Sequence, residues 1–199
     1  MKNVLVILAH PDGESFNATI AHRCGETLSK NGYEVLFHDL VREGFDPLLP
    51  TAEIPAAGPV DPAVDVHCRE LVSASGLIVV HPNWWGMPPA VLTGWVDRVI
   101  RPGVAYRFLE GDSGEGVPLG LLAGKTALVF NTANTPPERE ETDFGDPLDS
   151  IWRRCVFGLC GVTTYFRRTF SVVVTSTREE REGWLDEAAE TVNRYFPKE

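Results

Sequence analysis

The sequence predicts an α/β protein built on a five-stranded, doubly wound parallel sheet with helices on both faces. Three observations predict this fold class: apolar runs of strand length, amphipathic helical patterns between them, and Gly- or Pro-containing turns where one passes into the other. With 199 residues, of which 43% are hydrophobic, the chain can bury a full core without disulfides or metal. No repeat or linker divides it, so we expect a single domain over residues 1–199.

The predicted strands and helices alternate along the whole chain. The strands lie at Val4–Ala9, Tyr33–Leu40, Leu77–Val80, Lys125–Asn131 and within Thr163–Val174. The helices begin near Ser15, Asp61, Pro89, Asp146 and Thr177, and the first four end near Gly32, Gly76, Pro102 and Gly161. Right-handed crossovers favour strand order 2-1-3-4-5, in which the turns after strands 1, 3 and 4 converge on one crevice.

The turn after the first strand is polar and leads into a helix. Pro11 fixes one φ angle, Gly13 is free to adopt a positive one, and the helix begins at about Ser15. Amides in the first turn of a helix have no carbonyl partners, and the helix dipole is positive there. The turn therefore predicts an anion site, in which the residues that hold a phosphate are Ser15, Phe16 and Asn17.

Two alternatives stay open for this turn, an ordinary connection without a ligand and a zinc site. Residues Ala9–Glu14 are similar to the Ala-His-Pro-Asp-Asp-Glu segment of zinc-dependent sugar deacetylases, in which the His and the second Asp bind metal. Gly13 stands at that second Asp, which leaves too few ligands for tetrahedral zinc. We expect no metal.

The third strand is followed by His81–Pro89, which contains two adjacent tryptophans, Trp84 and Trp85. In open parallel sheets, ligands bind outside the carboxyl ends of the strands. An indole also offers a flat apolar face and one N–H donor, which suits a planar heteroaromatic ring. The alternative is that both side chains belong to the core, which is the usual place for tryptophan.

The fourth strand ends in a turn of small and hydroxyl residues, Thr132–Pro137, whose backbone amides are approachable. The acidic run at 138–142 that follows is expected to be a solvated face without a role of its own. The next helix is expected to bury a stripe consisting of Leu148, Ile151, Trp152, Cys155 and Leu159.

A dinucleotide-binding Rossmann site is the alternative for the crevice. Asp39, at the end of the second strand, stands where the ribose-binding acid of that site is found. The Gly-x-Gly-x-x-Gly pattern after the first strand is absent, however. Between the second and third strands, Gly44–Pro59 is the longest irregular segment, and loops of that length are usually functional or mobile.

Composition limits the class of partner. A net charge of -10 disfavours nucleic acid and anionic membranes, so small molecules are the expected ligands. The four cysteines lie in apolar helical patterns without a Cys-x-x-Cys pair, which predicts core thiols in a reducing compartment. The N-terminal apolar run is too short for a membrane span and has no signal-peptide cleavage pattern, so we expect a cytoplasmic protein.

Two motifs resemble the NAD(P)H:quinone oxidoreductase family, a DT-diaphorase-like group with a flavodoxin-like fold that includes ancillary subunits of potassium efflux systems. The first motif is His10–Asn17, which ends in Ser-Phe-Asn. The second, Pro82–Val99, is the more specific and contains Trp85, Pro89, Ala90, Leu92, Gly94, Trp95, Asp97 and Arg98. The resemblance extends in order over nearly the whole chain.

The resemblance implies a flavin site, an NAD(P)H reductant and a homodimer. Residues implied at the phosphate and ribityl end are His10, Ser15, Phe16 and Asn17. Residues implied along the isoalloxazine ring are Pro82, Asn83, Trp84, Trp85 and Gly86. The segment Ala105–Phe108 resembles the family's aromatic cap on the partner's flavin, with Tyr106 and Phe108 as its rings; alternatively, these rings cover the edge of their own core.

The chain departs from the family at two places. Family members usually have a Thr-Thr-Gly-Gly-like turn after strand 4, followed in the best-known ones by a Tyr and a His, whereas this chain has Thr132, Ala133, Asn134 and Thr135. Asn134 and backbone amides are then the candidates for stabilising charge on the reduced ring, and no catalytic side chain is assigned with certainty. The chain also ends after its last helix, which favours FMN over FAD.

The sequence thus predicts an FMN-dependent NAD(P)H oxidoreductase that reduces quinones or similar planar electrophiles by ping-pong hydride transfer. Two other classes stay open. An electron-transfer flavodoxin has the same fold and cofactor without NAD(P)H turnover, and an ancillary subunit depends on a transporter partner.

Overall fold

The computed structural model describes residues 2–55, 58–111 and 114–198. Its strands are β1 (Asn3–Leu8), β2 (Glu34–Asp39), β3 (Gly76–Pro82), β4 (Tyr106–Arg107), β5 (Leu119–Gly120), β6 (Thr126–Thr132) and β7 (Thr164–Phe170). Its helices are α1 (Phe16–Lys30), α2 (Pro62–Ser73), α3 (Ala90–Val99), α4 (Pro137–Phe144), α5 (Pro147–Asp149, continued by the π-helical Ser150–Gly158) and α6 (Arg178–Tyr195). No helix in these ranges is long and apolar enough to cross a membrane.

The five long strands form one parallel sheet in the order β2-β1-β3-β6-β7, which confirms the predicted order 2-1-3-4-5. The three central strands are almost wholly buried, as their unbroken apolar sequences require. Alternate residues of β1 serve opposite faces: Leu5 and Ile7 belong to one core cluster and Val4 and Val6 to the other. Each face therefore has its own apolar core.

Two predicted boundaries are wrong, and one strand pairing was missed. Gly76 begins β3 instead of ending the preceding helix. A glycine is needed there because a Cβ would meet the backbone of Thr126 on the adjacent strand. His81 and Pro82, expected in the following loop, are the last residues of that strand. An extended segment was expected at Ala105–Phe108, but its antiparallel pairing with β5 was not, since a two-residue strand carries no readable period.

The helix after Asp146 also departs from its predicted face. Cys155 and Leu159 were expected to point inward but are exposed, whereas Val156, Phe157 and Cys160 are buried. The reason is that Ser150–Gly158 is π-helical. Its hydrogen bonds join residues five apart instead of four, so each turn contains more residues and different side chains face the core.

The irregular segment 44–59 is fixed to the domain by a buried ion pair. Arg98 of α3 donates two hydrogen bonds to the Glu53 carboxylate, at 3.0 and 2.6 Å, and a third to the carbonyl of Asp46. Both charged side chains are at most 5% exposed. The bonds from Arg98 hold the pKa of the Glu53 carboxyl below its ordinary value. At its described residues, the segment is therefore clamped to α3.

We expect Glu53→Gln to lower the free energy of unfolding by about 3 kcal/mol, because the buried Arg98 guanidinium then keeps only the exposed Asp46 carboxylate, 3.9 Å away, as a close counter-charge. Urea unfolding measures the change. Glu182→Gln is the matched control, since it removes an exposed partner of Arg178 and should cost less than about 1 kcal/mol. Equal losses in the two variants would contradict the role given to the Arg98–Glu53 pair.

Candidate active site

The turns after β1, β3 and β6 meet at the carboxyl edge of the sheet, as predicted. The backbone ties them together: the amide of Ala9 donates to Val80, and that of Asn83 donates to Thr132. Ten of the twelve predicted binding residues line one cavity of about 300 Å³, namely His10, Ser15, Phe16, Asn17, Pro82, Asn83, Trp84, Thr132, Ala133 and Asn134. The other two, Trp85 and Gly86, line an adjacent cavity that shares Asn83 and Thr135 with the first.

The N-terminus of α1 provides the hydrogen-bond donors of the first cavity. Ser15 is the N-cap, and its hydroxyl accepts a hydrogen bond from the amide of Ala18 at 3.2 Å. Within the described ranges, no acceptor takes the amide N–H of Phe16 or Asn17. Two donors at the positive end of a 15-residue helix therefore remain available to an anion.

Asn17 joins the first turn to the turn after β6. Its side-chain Nδ2 donates to Thr132 Oγ1 at 2.9 Å, and the Thr132 hydroxyl donates back to Asn17 Oδ1 at 3.3 Å. Asn17 is 4% exposed. Its predicted place at the crevice agrees with the geometry, but its side chain also holds two loops together.

The two tryptophans lie on a tight hairpin turn. Trp84 and Met87 exchange backbone hydrogen bonds, and the central residues Trp85 and Gly86 have φ angles of 59° and 73°, which correspond to a type I′ turn. Asn83 Oδ1 accepts from the Gly86 amide at 2.9 Å. Trp85 is 96% exposed and Trp84 43%, so the core alternative for these side chains is excluded.

A positive φ is unfavourable for a bulky residue, and such strain concentrates at functional sites. In a type I′ turn, the first central position favours Asn, followed by Gly at the second. The chain already has Gly86 at the second position but places an exposed tryptophan at the first. Local conformational preference therefore does not explain Trp85.

The turn after β6 uses part of its hydrogen-bonding capacity internally. Asn134 Oδ1 accepts from the amide of Val174 at 2.9 Å, and the Ala133 amide donates to Phe170. The amides of Asn134 and Thr135 have no acceptor among the residues that the structure describes. The free backbone donors of this turn are therefore the amides of Asn134 and Thr135, while the Asn134 side-chain oxygen is already used as an acceptor.

A buried polar chain lies directly behind the crevice. His81 is fully buried, its Nδ1 lies 2.8 Å from the carbonyl oxygen of Pro82, and its Nε2 accepts from Asn131 at 2.7 Å and from Trp152 at 2.9 Å. Two donors on Nε2 leave Nδ1 as the protonated nitrogen, which donates to Pro82. Burial lowers the pKa of His81 to about 4, so the ring is neutral at pH 7.

The chain continues from Asn131 to the surface. Arg167 Nε donates to Asn131 Oδ1 at 2.7 Å, and the two terminal nitrogens of Arg167 form a bidentate pair with Asp146, each at 2.7 Å. The ends of β3 and β6, the middle of β7 and the start of α5 are thereby joined by side-chain hydrogen bonds. Sequence patterns did not indicate this role for His81, because a histidine next to a buried strand has no periodic signal.

The acidic run at 138–142 was expected to be solvated and without a role, which is wrong for Glu140. This side chain is 8% exposed, and its Oε1 accepts from Asn83 Nδ2 at 2.9 Å. It therefore links α4 to the tryptophan turn. Its neighbours in α4 form no apolar stripe, so the sequence offered no pattern that marked the inward position.

The zinc alternative for His10 finds no support in the geometry. His10 Nδ1 accepts from the Asp12 amide at 3.0 Å, and among the described residues the one close group of possible ligands consists of His38, Glu43 and His67. In that group, Trp95 donates to His67 Nδ1 at 3.2 Å, which leaves the proton of the neutral ring on Nε2, the atom that faces Glu43. His67 is therefore arranged as a hydrogen-bonding side chain.

The predicted cap segment has its two rings on one side. The ring centroids of Tyr106 and Phe108 lie 5.8 Å apart in an edge-to-face arrangement. Both side chains are half-buried, and they are less exposed than expected because Tyr106 packs against the core. Leu109, which follows the segment, and Leu119, which pairs with Arg107, are 59% and 45% exposed, and Val117, two residues before Leu119, is 88% exposed.

Residues 2–196 match the flavodoxin-like fold family. The chain belongs to this family. Within the flavodoxin-like proteins, it is 29% identical to an uncharacterized NAD(P)H oxidoreductase of Haemophilus influenzae, over 94% of this chain and 93% of that one. It is 27% identical to the ribosyldihydronicotinamide dehydrogenase [quinone] of Mus musculus, over 100% and 94% of the two chains.

Among solved structures, an NAD(P)H:quinone oxidoreductase from Methanothermobacter marburgensis superimposes with a TM-score of 0.82 at 25% identity, covering 97% of this chain and 96% of the other. These relatives confirm the resemblance noted in the sequence of this flavodoxin-like protein and its assignment as an oxidoreductase.

We expect Trp85→Asn to raise the free energy of unfolding by about 1 kcal/mol, because asparagine adopts the positive φ with less strain and the indole contributes little packing. Urea unfolding of the ligand-free protein measures this. The same variant should bind a planar ring less well. A loss of stability would show that the indole packs against something in solution.

We also expect stability to fall when the pH is lowered from about 7 to about 5. Burial lowers the pKa of both His67 and His81 from 6.5 to about 4, so between these values the unfolded chain binds more protons than the folded chain. The stability that each neutral histidine contributes is complete above its pKa in the unfolded chain. It is lost as the pH falls toward its pKa in the folded chain, with a slope of up to about 1.4 kcal/mol per pH unit for each histidine.

Urea unfolding at several pH values measures this slope. His81→Gln should reduce it, whereas His22→Gln, at an exposed position, should not. A stability that is flat over this pH range would contradict the burial of two neutral rings.

Proposed function

We propose that the protein is an FMN-dependent NAD(P)H oxidoreductase that reduces quinones or similar planar electrophiles by ping-pong, two-electron hydride transfer. One observation carries the proposal: a single cavity combines free amide donors at a helix N-terminus with Trp84 of the exposed aromatic turn. The first feature suits a phosphate and the second a flat heteroaromatic ring. The names of the relatives supply the nicotinamide and quinone substrates of the proposal.

The residues of the crevice have distinct parts in this proposal. Phe16 and Asn17 bind the phosphate through their amides, and Ser15 holds the start of the helix in place. Trp84 and Trp85 lie along the ring, on a turn that Asn83 stabilises. His81 fixes the carbonyl of Pro82 and so the position from which this turn starts.

When bound, FMN would supply the hydride chemistry between NAD(P)H and the acceptor. The free amides of Asn134 and Thr135 would donate hydrogen bonds to negative charge on the reduced ring. Reduction of a quinone also consumes one proton, which solvent provides at this open edge of the sheet.

The proposal predicts that the purified protein is yellow, with the absorbance bands of oxidised flavin. NAD(P)H should bleach these bands, and a quinone should restore them. A protein that keeps its flavin but is not bleached by either nucleotide would be an electron-transfer flavodoxin. A colourless protein that does not take up added FMN would overturn the proposal.

Asn17→Ala should weaken FMN binding by about 1 kcal/mol, because it removes the bond between neutral side chains that aligns the two turns of the crevice. The matched control is Asn31→Ala, at the other end of α1, where the side chain binds Asn193 and Phe196. Both variants should lose stability, but only the first should lose FMN affinity in a fluorescence titration. Equal affinity in the two variants would make Asn17 a purely structural residue.

We further propose that the working unit is a homodimer with a shared site. The half-buried pair Tyr106 and Phe108, flanked by exposed apolar side chains, supports this, since such patches usually meet a partner. A twofold contact buries both copies of the segment at once, with each cap over the crevice of the other subunit.

Mixing two impaired variants, at an FMN concentration below the Kd of Asn17→Ala, tests the shared site. A Tyr106→Ala, Phe108→Ala subunit retains its FMN crevice, and an Asn17→Ala subunit retains its cap. If the cap acts on the other subunit, mixed dimers contain one complete site and recover activity that neither parent has. A monomeric mass at working concentration, or no recovery on mixing, would contradict the proposal.

A further inference from the structure

A second cavity lies beside the proposed flavin crevice. Its volume is about 650 Å³, within the range of small-molecule sites, and it shares Asn83 and Thr135 with the crevice. Trp85 and Gly86 of the aromatic turn form part of its wall. A molecule in this cavity therefore lies next to the proposed ring end of the flavin, where an electron acceptor has to bind.

The cavity presents flat apolar surfaces. Trp85 is 96% exposed and Phe144 is 51% exposed, and the Pro147 ring, also in the wall, packs so closely against Gly86 that a Cβ there would meet it. The type I′ turn holds the Trp85 indole away from the core, so its face is free to stack. These surfaces favour a planar aromatic ligand.

The charged side chains in the wall all come from α4, and negative charges outnumber positive ones there. Arg139 is the one cation in the wall, and its Nε donates to Asp143 at 3.2 Å while its guanidinium lies over the ring of Phe144, 5.4 Å from the centroid. Asp143 therefore already neutralises Arg139. Glu140 is 8% exposed, accepts from the neutral amide of Asn83, and has no cation within ion-pair distance among the described residues.

We propose that this cavity selects planar aromatic acceptors that carry no negative charge, and that Glu140 is the specificity-determining residue. The inference rests on the proposed function, because it concerns the acceptor of that reaction. An anionic substituent in the cavity meets the Glu140 carboxylate where water is partly excluded, which strengthens the repulsion. A neutral ring makes the same stacking contacts without this cost.

The reactivity of a quinone changes with its substituents. The test therefore takes, for each variant, the ratio of kcat/KM for a neutral quinone to kcat/KM for an anionic one, and compares this ratio between variants. For the FMN-loaded protein, kcat/KM is measured with 1,4-naphthoquinone and with 1,2-naphthoquinone-4-sulfonate. Glu140→Gln keeps an oxygen that accepts from Asn83 but removes the charge, so the preference for the neutral quinone should fall about three- to tenfold. Asp143→Asn, which frees Arg139, should change the ratio in the same direction.

Glu138→Gln is the matched control, since Glu138 is an exposed residue of the same helix that lines neither cavity, and its ratio should equal that of the wild type. Salt at about 0.5 M should narrow the wild-type preference. Equal ratios in the wild type and Glu140→Gln would overturn the inference. An equal change in Glu138→Gln would also overturn it, because the selectivity would then come from the net charge of the chain.

Binding without turnover separates this inference from the proposed function. Calorimetric titration of the oxidised protein with 2-naphthol and with naphthalene-2-sulfonate compares the affinity for a neutral and an anionic planar ligand, and it needs no NAD(P)H. If no acceptor is reduced, the proposed function fails, but the ratio of the two Kd values still decides the charge selectivity. A ratio that Glu140→Gln leaves unchanged would overturn the inference whatever the activity.

Discussion

The buried hydrogen-bond chain from His81 to Asp146 is the interaction on which the geometry of the crevice depends. Parallel pairing aligns β3 with β6, but it does not fix the direction in which the chain leaves either strand. The His81 ring accepts hydrogen bonds from Asn131 and Trp152 and donates one to Pro82. One neutral ring thereby connects the ends of the two strands with a helix. Arg167 and Asp146 anchor the other end of the chain. Because every link is satisfied, the polar groups specify one arrangement instead of costing stability.

The crevice illustrates how a site of this kind is divided between rigid and strained parts. The amides of Phe16 and Asn17 are fixed by a long helix, and the Asn17–Thr132 pair keeps that helix beside β6. Trp85, by contrast, adopts a backbone conformation that its side chain disfavours. The surrounding bonds of Asn83, to Gly86 and to Glu140, hold the turn against that preference. The strained conformation of Trp85 is thus maintained by Asn83, which is itself held by Glu140 of α4.

Periodicity in the sequence was sufficient to predict the sheet order and the convergence of three turns, because apolar strand runs and cap residues are local signals. The family resemblance supplied most of the ten predicted residues that line one cavity. Three features escaped prediction because they depend on distant partners or irregular geometry. Glu140 is buried only through its contact with Asn83, His81 acquires its role from Asn131 and Trp152, and the inward face of α5 changes because of its π-helical turn.

That π-helical turn has a practical consequence. Cys24, Cys68 and Cys160 are buried, and burial raises the pKa of each thiol, whereas the wider turn rotates Cys155 out to solvent. The natural chain therefore offers one accessible attachment point for a thiol-specific dye or spin label, on the helix that also supplies Trp152 to the His81 chain. A probe placed there reports on movements of this helix during a catalytic cycle without any engineered cysteine.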